Sequence, residues 1–454
     1  MYPCQRKQHR RRGISRRDFL GGVTAGTLAG VAGCGGPLGS DLINSRAQSS
    51  IRALSDQPGM PGPFPGRVVE VNHPGSVVTG VRDREAVKKM VEHGMQQLVP
   101  DAENAVDAWK FFFDKGDRVG IKVVPVGKHH KPGADSRLLE PLVDLKRPGS
   151  ISSYEVVLEV IDALETAGVR LSDIMVFERY KNDFIHAGYR EILPDGVHWE
   201  CASTAYDQSQ LEIDGQVRGA GRQKHIAGYD RDVFREMAFC HDADIHDPTD
   251  DRILRSHLTK IVTQKVDKVI SIPVLKDHRS AGVTLCLKNM SHGLVNNVSR
   301  SHLNVNGGQG VNLSMNHCQT FIPAAVSLPP TREKCVLQIL DGLVATYEGG
   351  PGMWNRTFAT WERKSLFFST DPVATDFVGW EIIDAKRAEH GWPAVARMGL
   401  DAQTGIKPDI LDNDGQPFGE GFHIRQPQHI PLAGVLGMGV YDRDQIDHQR
   451  FEIA

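Results

Sequence analysis

The chain has 454 residues, 40% hydrophobic and 24% charged. That composition excludes a polytopic membrane protein and a mostly disordered chain, and fits one large domain or two to three ordinary ones. The formal net charge is −3, but residues 1–33 carry seven Arg or Lys and one acid, Asp18, leaving 46 basic and 55 acidic residues in the rest; a body of that sign excludes non-specific nucleic-acid binding.

The N-terminus reads Arg10-Arg11-Arg12, then Ser15-Arg16-Arg17-Asp18-Phe19-Leu20, then an uncharged Gly/Ala-rich stretch to Gly33. Fifteen weakly apolar residues are too few to span a bilayer, and a basic segment before a short apolar run is the pattern of a signal peptide. The S-R-R-x-F-L core resembles the twin-arginine export signal. Val31-Ala32-Gly33-Cys34 resembles a lipobox, in which Cys34 becomes the lipidated first residue; ordinary cleavage nearby is the alternative. Residues 1–34 are thus expected to be an address read by the twin-arginine export machinery. The mature protein is then periplasmic or on the cell surface, held to a membrane only by a lipid anchor.

Residues 35–66, with Pro37, Pro58, Pro61, Pro63 and Pro65, read as a tether. Residues 67–400 alternate strand and helix patterns. Val68–Val71 is a strand candidate, and Arg84–Leu98 and Ala102–Phe113 show helical spacing. Arg118–Val124 reads as a buried strand. Ser153–Ala167 reads as an amphipathic helix with Ser152 or Ser153 as N-cap and Gly168 at its end, followed by a strand over Asp173–Phe177. Arg252–Lys265 reads as a helix, Asp267–Ile272 and Lys334–Leu340 as strands, and Pro372–Glu389 as a helix capped by Asp371. Asp401–Ala454 has no regular pattern and reads as an irregular C-terminal extension. The fold class is α/β, a mainly parallel sheet flanked by helices in one or two lobes.

In such sheets ligands sit beyond the carboxyl ends of the strands. There Pro273 is expected to stop the strand ladder, and Lys276, Asp277, His278 and Arg279 follow at once. Ala281-Gly282 permit a close backbone approach, and Lys288-Asn289 come ten residues after His278. Two lysines, an arginine and an imidazole beside small residues form a candidate anion pocket; the bland alternative is a basic loop capped by a helix. Eight of the 19 histidines lie between His225 and His317, and imidazole serves both metal binding and proton transfer. Asp341-Gly342 reads equally as a turn or a metal ligand. Asp371-Pro372 is most simply an N-cap, with metal ligation as the alternative, since oxygen ligands favour hard cations. The seven cysteines contain no C-x-x-C pair, so no zinc ribbon or iron–sulfur cluster is expected.

The run Asp267–Asn289 fits D-x-[VI]-I-x-[IL]-P-x-L-K-x-H-x-x-x-G-V-T-x-x-[LM]-K-N, which resembles the signature of the bacterial and archaeal family called domain of unknown function 362. Ile339–Gly342, Glu348–Pro351 and Ser369–Asp376 are similar to its later blocks. Val119–Val123 and Tyr154–Phe177 are similar to its early strand and helix–strand unit. The family's early strand often ends in Lys-x-Asn; Lys122 is present here, but Val124-Pro125 replace the Asn. The family has no settled activity.

A more local likeness is to the lactate racemase family, which uses a Lys-tethered nickel pincer nucleotide. His278-Arg279, Ala281-Gly282, Lys288 and His302 match its run. The resemblance implies His278 as a proton-transfer base, Lys288 as the tether and His302 as a nickel ligand. The second histidine base of that family is replaced by Glu178-Arg179-Tyr180, so Glu178 is the remaining candidate for a one-sided base. The candidate set is therefore His278 and Glu178 for catalysis; Lys122, Lys276, Arg279, Lys288 and Asn289 for a small anionic ligand; and His302, Asp341 and Asp371 for a metal ion. An enzyme using His278 as acid/base and a non-catalytic anion-binding protein both remain open.

Overall fold

Short β-branched runs bounded by polar turns supply the strands. In the computed structural model the described residues are 59–126, 150–205, 224–237, 255–278, 280–298, 301, 318–352, 358–395 and 427–454. The strands are β1 (Arg67–Asn72), a ribbon of β2 (Val77–Val78) and β3 (Val81–Arg82), β4 (Val119–Lys122), β5 (Ile174–Tyr180), β6 (His198–Ser203), a ribbon of β7 (Tyr229–Glu236) and β8 (Arg255–Thr259), β9 (Lys268–Ser271), β10 (Val274–His278), β11 (Gly282–Val283), β12 (Cys335–Glu348), β13 (Ala359–Trp361), β14 (Ser365–Ser369) and β15 (Asp447–Glu452). Eleven of them form one mixed, mainly parallel sheet of order β15-β1-β14-β12-β9-β4-β5-β6, with β10 and β13 beside β12 and β11 on β10. β12, β9, β4, β5 and β6 run parallel; β14 runs against both β12 and β1.

Period-two alternation divides the strand residues between two cores. Val69, Ile270, Ile339 and Phe368 enter one; their chain neighbours Val68, Val269, Leu340 and Phe367 enter the other. Helices Arg84–Leu98, Ala105–Phe112 and Tyr154–Ala167 cover the first. Helices Leu285–Ser291, Cys318–Val326 and Pro372–Glu389 cover the second. With both faces covered, every residue of β4 and β14 is buried, Lys122 at the end of β4 included. Helix Arg84–Leu98 shows how the layers meet. Asp83 caps it by accepting from the Ala86 N–H at 2.8 Å. Its buried face is Val87, Met90, Val91, Met95 and Leu98. A Cβ at Gly94 would stand 2.2 Å from the Phe368 ring, so only glycine lets the helix lie this close to β14.

The α/β expectation is met, with several differences in its parts. Residues 255–259 form a strand, not the helix read over Arg252–Lys265; a single π-helical turn, Ile261–Lys265, follows. Leu258, Ile261 and Val262 have helical spacing, but antiparallel pairing with β7 decides the conformation. Pro273 interrupts the ladder without ending it. The chain steps sideways, Asp341 donates its N–H to the Pro273 carbonyl at 2.8 Å, and β10 resumes beside the later half of β12. Strand β12 therefore runs to Glu348 rather than stopping at Leu340. Within the C-terminal extension, His429–Val435 is a helix and β15 pairs in parallel with all of β1. The end of the tether packs inward: Met60 is buried and donates its N–H to the Arg332 carbonyl at 2.8 Å. Among the described residues no helix is long and apolar enough to cross a membrane. The export signal and Cys34 lie outside the described residues.

Candidate anion site

The parallel strands finish side by side. Lys122, the last residue of β4, is in register with Phe177 of β5 and Ser271 of β9. The next residues of β5 are Glu178 and Arg179, both buried. The Lys122 ammonium pairs with the Glu178 carboxylate and donates to the Val123 carbonyl at 2.7 Å and to Asn289 Oδ1 at 2.9 Å. Asn289 in turn donates to Ser271 Oγ at 2.9 Å, tying its helix to β9. A Cβ on Gly293 would lie 2.6 Å from Lys122 Cε, so a side chain there would push the lysine off its partners. Burial raises the Glu178 carboxyl and lowers the Lys122 ammonium, and their mutual attraction opposes both.

Lys276 lies on β10 and is fully buried. Its ammonium donates to the carbonyls of Val126 and Pro351, the latter at 3.4 Å. Burial, then repulsion from Lys288, lowers it to about 7. Lys288 is lowered to about 8, mainly by burial, with Cys318 opposing and the Arg179 charge adding. Its helix, Leu285–Ser291, is capped from outside by Asp376 of helix Pro372–Glu389, which accepts from the N–H groups of Cys286 at 2.7 Å and Leu287 at 2.9 Å. Burial pushes Asp376 up to about 8. The Arg179 guanidinium donates to the His292 carbonyl and the Tyr180 hydroxyl, 4.1 Å from the Tyr180 ring centre. Four basic groups, Lys122, Arg179, Lys276 and Lys288, thus share one buried neighbourhood with the carboxyl groups of Glu178, Asp277 and Asp183.

Lys122, Glu178, Lys276, Lys288 and Asn289 are therefore brought together. His278 ends β10, but its Nδ1 accepts the N–H groups of Ser280 at 3.0 Å and Ala281 at 3.1 Å. That nitrogen carries no proton and holds the β10–β11 turn. Arg279 and His302 lie outside the described residues. Asp341 and Asp371, the candidate metal ligands, are both engaged by backbone N–H groups. Asp341 sits inside β12 and accepts from the N–H groups of Ser153 at 2.7 Å and Leu343 at 2.9 Å. Asp371 accepts four backbone N–H groups, from Gly66, Val373, Ala374 and Val440, at 2.8–2.9 Å. With its lone pairs so engaged it joins β1, a helix start and the C-terminal segment, and a metal would have to displace those bonds. Glu348 is likewise internal, paired with Arg387 where both are fully buried. Among the described residues no three His, Cys, Asp or Glu side chains are placed to hold a metal ion.

Sequence reasoning assigned no role to Arg179 or Asp277. Arg179 adjoined a named candidate, but nothing local signals that its guanidinium faces Lys122 and Lys288. An open groove between β13, β15 and helix Pro372–Glu389 is also charged, lined by Arg363, Lys386, Arg450 and Glu389. Its cations are matched, Arg363 and Arg450 by Glu70 and Lys386 by Glu389.

No curated protein matches the chain. Residues 222–381 match the family model described as Domain of unknown function (DUF362). That segment holds Lys276, Lys288 and Asn289, whereas Lys122, Glu178 and Arg179 come from the strands before it. The signature strand, its hairpin and the helix carrying Lys288 all fall within the match to that family model.

Proposed function

We propose that the protein binds a small anion at the carboxyl ends of β4, β5 and β10. The observation that carries this reading is the convergence of four buried basic groups at the strand ends, two of them lysines lowered to about 7 and about 8. A bound anion would favour the charged forms of the lysines. Sulfate stays a dianion across pH 6–9, so its titration isolates the lysines. Binding raises two pKa values that stand at about 7 and 8 in the free protein, so complex formation at pH 8 should take up about one proton. Affinity should fall as pH rises from 6.5 to 9. Isothermal titration in buffers of different ionisation enthalpy measures the uptake; pH-independent binding, or no binding of sulfate, sinks the reading.

One observation favours catalysis as a second reading. A buried lysine at about 7 is suited to move a proton near neutral pH. Lys276 fits that role better than His278, whose Nδ1 is held by the turn. For the nickel-pincer likeness, the described residues supply Lys288 but no metal donor set. Added mass on Lys288 in the intact, natively exported protein would support that alternative.

Export and tethering belong to the same reading, supported by the Ser15–Leu20 motif and the run ending at Cys34. Changing Arg16 and Arg17 together to Lys should leave the protein in the cytoplasm. If the double variant still fractionates outside, the address is misread. Mass spectrometry of the mature N-terminus decides lipidation of Cys34.

A further inference from the structure

The C-terminal helix His429–Val435 turns one side inward, where His429, Ile430 and Ala433 are buried. Its other side is apolar as well. Leu432, Val435 and Leu436 are exposed, Val435 by 71%, and their i, i+3, i+4 spacing sets them together. Tyr441, also exposed, lies against the neighbouring Gly434, where a Cβ would stand 2.1 Å from the ring. Of the seven large hydrophobic side chains exposed among the described residues, four are therefore gathered here. Such a concentration marks a binding surface rather than scattered exposure. The described part of the chain begins at the same place. Met60 donates its N–H to the Arg332 carbonyl at 2.8 Å, and Arg332 Nε donates to the Met60 carbonyl at 3.3 Å. The same guanidinium donates to the carbonyls of Leu436, at 3.2 Å, and Gly437. One side chain thus fastens the end of the tether to the end of the apolar face. Gly59 follows Cys34 by 25 residues, a span of at most about 90 Å.

We propose that the face formed by Leu432, Val435, Leu436 and Tyr441 docks on the lipid bilayer that holds the Cys34 anchor. The assignment rests on the tethering reading and deepens it, since it states which side of the body meets the membrane. A tether that joins the body beside this face holds the face near the bilayer, so a surface of modest affinity suffices. The contact is apolar rather than an attraction to anionic headgroups. Asp442 and Asp444 are exposed beside Tyr441, and the arginine between them, Arg443, is paired with Glu381 at 3.1 Å.

The test is co-sedimentation of the full-length mature chain with phosphatidylcholine vesicles, using Cys34→Ser so that no acyl group holds the protein. It should sediment with the vesicles equally at low and at high salt. Leu432→Ser, Val435→Ser and Leu436→Ser together should weaken binding about thirtyfold, and Val435→Ser alone about threefold. These side chains face water, so both variants should melt as the parent does. Failure to sediment, or sedimentation unchanged in the triple variant, overturns the proposal and leaves the lipid anchor standing. A dimer that forms without lipid and is broken by the triple variant also overturns it, by giving the face to a second copy. An unmodified Cys34 at the mature N-terminus overturns the tethering reading instead, and the vesicle assay, which uses no anchor, still decides the face.

Discussion

Lys276→Met should abolish sulfate binding, by about a hundredfold or more, while raising the stability of the ligand-free protein by about 2 kcal/mol at pH 7. The two effects have opposite signs because the lysine is fully buried and drawn down to about 7 by that burial and by Lys288. Its folded pKa lies below the unfolded value of 10.5, so the unfolded chain binds the extra proton more tightly. The resulting penalty is absent above pH 10.5 and complete once pH has fallen through about 7. The stabilisation in the variant should therefore be largest below pH 7 and vanish toward pH 10.5. Lost hydrogen bonds to the Val126 and Pro351 carbonyls offset part of it. Urea unfolding at pH 6, 7 and 10 reads the trend. A lysine that merely braced the fold would give a destabilised variant at every pH, and that result would remove Lys276 from the site. Lys288→Ala should likewise remove sulfate binding with the fold intact.

Glu348→Leu should destabilise the protein by about 3–5 kcal/mol. Both members of the Glu348–Arg387 pair are fully buried, and the guanidinium cannot shed its proton when the carboxylate is removed. Arg387 also donates to the carbonyls of Tyr347 and Pro393, at 2.8 Å and 2.7 Å, so it fastens the end of β12 to the end of helix Pro372–Glu389. The double variant Glu348→Leu with Arg387→Leu leaves no stranded charge and should recover more than half of the loss. A loss below about 1 kcal/mol for the single variant, measured by urea unfolding, would mean that water reaches the arginine.

Local pattern was enough for much of the architecture. The runs at Arg118–Val124 and Asp267–Ile272 contain β4 and β9, a helix spans Arg84–Leu98 as its spacing predicts, another starts after Ser153, and Asp371 caps its helix. Each of these is fixed by neighbours a few residues away: β-branched side chains, a carboxylate before free N–H groups, a glycine after the last turn. The grouping of Lys276, Lys288 and Asn289 was also legible, because a short hairpin brings the helix back beside β10.

What a side chain does with its charge was decided by chain segments far away in sequence. Asp341 and Asp371 are candidate metal ligands by sequence, yet each accepts backbone N–H groups supplied from another element, and Glu348 is paired with an arginine from a distant helix. Lys122 finds Glu178 and Asn289 only because parallel pairing sets β4, β5 and β9 in register. Residues 255–259 are a strand because β7 pairs with them, and the C-terminal residues are a strand because β1 offers a free edge. Composition and spacing determine which groups are available. Register and burial determine which of them meet, because both depend on partners that no local window of sequence contains.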